Sequence, residues 1–274
     1  MSLFRQPGKI LMLWSHKPVA PWQDDAWVEQ MRAQLRPNAF LRMIRNHFVS
    51  SESSFVEMEW FDACVDDALR PVLADPSLPV WVGVDASVKR DSTAIVAVTW
   101  DAEAKRVRLV WHRIFQPTAK EPLDFEATIE TTLRDLRQRF AVCEVRFDPW
   151  QMQAVAQRLR AAGLPMVELA QSVPNLTESS TCLYEAVKAQ SLSVYRDDAI
   201  RLAVSHAVAA ETTRGWRITK EKASHKIDVV VAMAMAVLAA VRNGAAAAPL
   251  VCPDITLTRE SPWRLGDSSA SRWS

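Results

Sequence analysis

From about residue 80 onward, apolar runs of strand length alternate with stretches of helical period. VWVGVDA at 81–87, TAIVAVTW at 93–100 and RVRLVWHRIF at 106–115 predict three strands, and the short DST and DAEAK connections make them adjacent and antiparallel. A helix is predicted over 123–140, a compact strand over 141–147, a helix over 151–162 closed by Gly163, and a short strand in PMVELA. NLTESSTCLYEAVKAQ then predicts a helix capped by Asn175 or Thr177, and RDDAIRLAVSHAVAAE a second one. RGWRITKEK has the pattern of a strand or hairpin edge, and 227–242, rich in alanine and valine, predicts a closing helix.

The first 78 residues follow a different pattern. They hold Trp14, Trp22, Trp27 and Trp60, a single glycine, Gly8, and little strand alternation. Residues 21–35 open on proline and early acids and carry apolar positions at helical spacing, so they predict a helix ended by Pro37. A second helix is predicted over 57–73, with Trp60, Phe61, Cys64, Val65, Ala68 and Leu69 on one face. The proline-bearing stretch 74–79 marks the expected boundary between an N-terminal extension, 1–78, and a mixed α/β domain, 79–244. After it, 245–274 is polar and proline-bearing, the composition of a flexible tail.

Composition narrows the classes. A chain of 274 residues that is 49% hydrophobic can bury a sizeable core. Its net charge of +1 gives no global attraction to nucleic acid, so such a partner would have to be met by a local basic surface. Cys64, Cys143, Cys182 and Cys252 form no CxxC or Cys/His zinc spacing and fit reduced thiols. The longest apolar run, 229–241, is too short to span a bilayer, and no signal peptide opens the chain, so a soluble protein with no membrane partner is expected.

Chemistry concentrates in three aspartates. Asp85 and Asp148 each follow a buried-strand pattern, and Asp228 opens a helix. Each alone has a plainer role, Asp148 as a turn starter before Pro149 and Asp228 as a first-turn acid favoured by the helix dipole. Together they favour a divalent metal, because oxygen ligands suit magnesium and a pair of such ions suits phosphodiester hydrolysis. None of the five histidines has HxxxH or HxH spacing, and His206 and His225 are expected to be surface or packing residues. Arg214, Arg217, Lys220, Lys222 and Lys226, set against Glu221, make a basic stripe beside Asp228 that fits either a solvated edge or a DNA backbone contact, and its position favours DNA. Asp91 either assists the site or starts a turn, the turn being the better reading, and Trp150 is expected to pack.

A three-stranded meander followed by helix, strand, helix and strand resembles the topology of ribonuclease H-like nucleases, in which an acid on the first strand, one ending the fourth and one on a late helix approach one point. More specifically, GVDASVKRDSTAIVAV, FDPWQMQAVAQRLRAAGLPMVEL and KEKASHKIDVVVAMAMA resemble the nuclease domain of the large subunit of phage terminases, the motor that packages viral DNA. The resemblance covers roughly 80–241. It implies that Asp85, Asp148 and Asp228 bind magnesium or manganese and cut concatemeric double-stranded DNA in the cytoplasm of a bacterial host. It also implies partners: the terminase ATPase part, the small terminase subunit and the portal. The stretch 11–56 is similar to the family's ATPase–nuclease junction, whereas the GxxxxGK[ST] phosphate loop has no counterpart; Gly8-Lys9 runs into Ile10. No ATPase activity is therefore expected, and the chain resembles a truncated prophage gene, a fragment or half of a split motor. Trp14, Trp22 and Trp27 would then be exposed where an ATPase partner docks. Two other readings remain at this point: a non-catalytic remnant or docking module, and another ribonuclease H-like enzyme of the resolvase, transposase or RNA hydrolase type.

Overall fold

The structure, a computed structural model, describes residues 2–6, 10–18, 20–47, 52–86, 92–116, 125–150, 152–212, 215–222 and 224–244. Asp91, Arg214 and the tail after 244 lie outside the described residues. Strands β1 (Ser2–Gln6) and β2 (Ile10–Trp14) form an antiparallel pair. Helix α1 (Asp25–Gln34) starts later than its apolar period suggests, because the Asp24 carboxylate accepts the Trp27 N–H at 2.8 Å and sets the cap there. Pro37 does not only end that helix. It opens α2 (Pro37–Met43), where a missing N–H costs nothing. Trp22 is strongly exposed, Trp27 is partly buried, and the side chain of Trp14 lies outside the described ones.

Strand β3 (Glu52–Ser54) and helix α3 (Met58–Ala63) follow. The helix is far shorter than 57–73 because the backbone leaves it to pair elsewhere: Val65 bridges Val194, and the Asp66 N–H donates to the Val194 carbonyl at 2.8 Å. Strand β4 (Asp75–Asp85) begins inside the stretch read as a linker, so 74–79 is largely strand, with Asp75 opposite Phe140. Phe55, Val56, Phe61 and Cys64, upstream of it, belong to the same buried cluster as the later helices.

Strands β5 (Thr93–Asp101) and β6 (Arg106–Phe115) complete the antiparallel meander. Then come α4 (Phe125–Arg139), β7 (Phe140–Phe147), α5 (Gln153–Ala161) and β8 (Met166–Glu168). Gly163, at φ +80°, turns the chain after α5 in the left-handed conformation that favours glycine. Helix α6 (Val173–Lys188) is capped by Ser172, not by Asn175 or Thr177. After β9 (Leu192–Ser193), helix α7 (Asp198–Ser205) takes only half of the predicted 196–211 helix. The remainder is β10 (Ala207–Thr212), which pairs with β11 (Gly215–Lys220) and with β3. The chain closes with α8 (Asp228–Ala239), continued by a π-helical turn, Ala240–Gly244.

The main sheet has the order β8-β7-β4-β5-β6-β9, with β4, β7 and β8 mutually parallel and the meander antiparallel. A three-stranded sheet, β11-β10-β3, lies beside it. On one face of the main sheet, Val80, Val82, Val84, Val145 and Phe147 pack against Ile129 and Leu133 of α4 and Val155 and Leu159 of α5. On the other, Trp81, Ala94, Val96 and Val98 pack against α8, which is itself covered by α6 and α7. Every residue of α8 from Ala232 to Ala239 is buried, as expected of a helix apolar all round. Gly83 lets it come so close: a Cβ there would stand 2.0 Å from the Ala232 carbonyl oxygen. Among the described residues no helix is long and apolar enough to cross a membrane.

Candidate active site

Strand alternation decides where the aspartates go. Gly83 faces α8, so Asp85, two residues on, leaves β4 on the same face. In the parallel ladder Gly83 pairs with Arg146 and Val84 with Phe147, so the next rung would set Asp85 opposite Asp148. The α8 face of β7 carries Glu144 and Arg146, and Asp148 continues that alternation at the strand's end. The third acid reaches the same end from above: Ser92, just before β5, donates its hydroxyl to Asp228 at the first turn of α8. Asp85, Asp148 and Asp228 therefore share one face and one end of the sheet. Ser92 was not singled out from sequence, since nothing in DST separates a buried hydroxyl that orients a carboxylate from a turn residue.

Among the described residues no three His, Cys, Asp or Glu side chains are gathered tightly enough to hold a metal ion as they stand. Carboxylates repel one another at close range, and a cation between them reverses that preference. The donor chemistry fits a hard cation, because the acids offer only oxygen and Ser92 fixes one of them. Burial pushes the Asp148 carboxyl above its usual range, against the opposing pull of the Trp150 N–H that it accepts at 3.1 Å.

Beside Asp228 lies a cavity of about 240 Å³, lined among others by Ser92, Ile114, Leu202, His206, His225 and Lys226. The two histidines are stacked, ring centroids 3.7 Å apart and planes 13° from parallel. They pack on each other beside the cavity, so neither stands alone as its place in the sequence suggests. The connecting turn is held by the Glu221 N–H on the His206 carbonyl at 3.1 Å and the His225 N–H on the Lys222 carbonyl at 2.9 Å. Of the basic residues, Lys226 lines the cavity, Arg217 and Lys222 are exposed, and Lys220 is partly buried at the end of β11. Trp150 overturns its expectation outright, being 75% exposed two residues beyond Asp148 rather than packed.

Residues 123–243 match the family model described as terminase large subunit, endonuclease domain, a span that contains Asp148 and Asp228. No curated protein matches the chain. In fold it is similar to the large terminase of bacteriophage HK97, at 18% identity and TM-score 0.59, over 78% of this chain and 50% of that one. It therefore spans about half the length of that protein. It is also similar to the large terminase nuclease from thermophilic phage G20c, at 16% identity and TM-score 0.53, over 67% of this chain and 96% of that one. The same nuclease with bound magnesium matches at 16% identity and TM-score 0.53, over 69% and 98% of the two chains. The fold is the ribonuclease H-like mixed sheet of these phage nucleases.

Proposed function

We propose that this chain is a metal-dependent DNA endonuclease of the terminase type, cutting the concatemeric double-stranded DNA from which viral genomes are packaged. The reading is carried by the position of Asp85 and Asp148 at the same end of the parallel strands β4 and β7, where Ser92 also meets Asp228. The family match over 123–243 and the magnesium- and cobalt-bound G20c nuclease support it.

Asp85, Asp148 and Asp228 would hold magnesium or manganese ions, which when bound in a pair supply Lewis-acid stabilisation to the attacking and departing oxygens. The chain's own contribution is placement. Ser92 donates to Asp228, α8 packs against β4 at Gly83, and the parallel ladder, paired as far as Val84 and Phe147, would bring Asp85 beside Asp148. Arg217, Lys220, Lys222 and Lys226 would hold the DNA backbone without reading its sequence. In a packaging assembly an ATPase part, a small terminase subunit and the portal would supply translocation and positioning, in the cytoplasm of the bacterial host.

The test is cleavage of plasmid DNA by the purified chain in magnesium, in manganese and in EDTA, with Asp85→Asn, Asp148→Asn and Asp228→Asn alongside. The parent should cut in either metal without ATP, and each variant should fall to the no-enzyme level while melting cooperatively. Intact DNA in both metals, or a variant cutting at the parental rate, would refute the reading and return the chain to a non-catalytic docking role.

A further inference from the structure

We propose that the indole of Trp150 is a DNA-contacting surface that stacks on an unpaired base next to the bond being cut. The inference rests on the nuclease reading above and adds to it a specificity-determining residue and a feature of the substrate. Among the described side chains of residues 52–244, no other Trp, Tyr or Phe is exposed to this degree.

A single exposed apolar side chain is ordinary on a protein surface. The mounting of this one is not. The Trp150 backbone N–H donates to Asp148 Oδ1 at 3.1 Å, so the same turn orients the carboxylate and projects the ring. Pro149 restricts the backbone between them. The Met152 N–H donates to the Pro149 carbonyl at 3.3 Å, and α5 starts at once with Ala156 N–H on the Met152 carbonyl at 2.8 Å. Phe147 before the turn and Met152 after it are fully buried. The described residues on either side of Trp150 are thus anchored, and the indole is exposed.

Two positions of chain separate the Cα atoms of Asp148 and Trp150 by at most about 7 Å. A nucleotide whose phosphate reaches Asp148 therefore brings its base or sugar within range of the ring. An indole carries no charge and gives little to a phosphate, whereas its flat face suits a nucleobase. In a fully paired duplex both faces of every base are covered, so stacking is gained only where the helix is opened. Trp150 accordingly favours DNA that is unpaired beside the cut.

The experiment uses the full chain in EDTA, so that binding is read without cleavage. Fluorescence anisotropy compares a labelled, fully paired duplex with the same duplex carrying a central unpaired stretch. The parent should prefer the opened duplex by about tenfold, the size of one base stacked on an aromatic ring. Trp150→Ala and Trp150→Gln should lose that preference while keeping parental affinity for the paired duplex, and Trp150→Phe should retain part of it. Leu73→Ala, which alters an exposed residue ahead of the opposite end of β4, should behave as the parent. The proposal is overturned if the parent shows no preference, if both replacements keep it, or if they weaken both duplexes equally. A parent that discriminates through Trp150 yet cuts nothing in magnesium or manganese would remove the nuclease reading and leave this contact standing. A parent that cuts without a Trp150-dependent preference would do the reverse.

Discussion

The two faces of the main sheet are both covered by helices and do different work. Under α4 and α5 the contact is apolar throughout, with Val82, Val84, Val145 and Phe147 meeting Leu133, Leu136 and Leu159, and both helices keep a polar outer side. Under α8 the sheet carries the chemistry: Ser92 on Asp228, the buried ion pair of Arg146 with Glu144, and Asn243 donating to Glu144 from the π-helical turn. That helix is buried throughout Ala232–Ala239, because α6 and α7 cover what the sheet does not. The first face is a replaceable support in which size and apolarity suffice. The second fixes particular atoms against one another, so a change of one methyl group there is expected to shift the Asp228 carboxylate.

The sharpest way to break this contrast is a matched pair of substitutions. Gly83→Ala places a Cβ against the Ala232 carbonyl and should cost about 3 kcal/mol, since neither backbone can yield. Leu159→Ala, on the opposite face, should cost a similar amount by leaving a cavity. Thermal melts should show both losses. DNA cleavage per folded molecule, assayed well below each midpoint, should fall only for Gly83→Ala, because only it displaces α8 and Asp228 from β4. Equal activity in the two would dissolve the distinction between the faces.

A smaller effect is expected at Ser92. Removing its hydroxyl with Ser92→Ala withdraws a hydrogen bond to a carboxylate, about 1.5 kcal/mol of stability. It should also weaken magnesium about tenfold, as losses of orienting partners around metal ligands do. Titration of cleavage against magnesium reads this as a shifted midpoint with an unchanged plateau.

Replacing Lys220, Lys222 and Lys226 together with alanine should weaken DNA binding alike across sequences. The log–log salt dependence should become shallower by about one unit for each phosphate the protein no longer neutralises. Because Lys226 lines the cavity at Asp228 while Lys222 is exposed, the single Lys226→Ala should account for the larger part. An unchanged slope would make the stripe a solvated edge.

The smallest effect concerns Asp148 in the metal-free protein. Burial holds its carboxyl above the usual 3.8, so the native state loses stability as pH rises through that raised value. In EDTA, Asp148→Asn should melt slightly above the parent near neutral pH, and the advantage should vanish below about pH 3.8, where both side chains are uncharged. Added magnesium should raise the melting point of the parent and leave the variant unmoved.

Sequence displayed the meander and the parallel strands because each is a short apolar run cut off by turn residues, and it pointed to the acids because Asp85 and Asp148 close such runs and Asp228 opens one. It hid β10. AVAAE continues the apolar period of α7, and what makes it a strand is pairing with β11 and with β3, which precedes it by some 150 residues. The His206–His225 stack was hidden for a similar reason, since His206 caps α7, His225 lies in the connection before α8, and only the β10–β11 hairpin between them brings them together. Trp150 was misread because an apolar residue after a strand looks the same whether its ring turns in or out.

The enclosure of α8 has one more consequence. A helix buried throughout Ala232–Ala239 has no low-energy route by which it can detach alone, so the amides of that stretch should exchange with deuterium only when the whole molecule opens. Asp228, at the first turn of that helix, is then not a movable part. Any switching of the site would have to come from elements laid over the sheet's end, against a carboxylate whose own scaffold stays still.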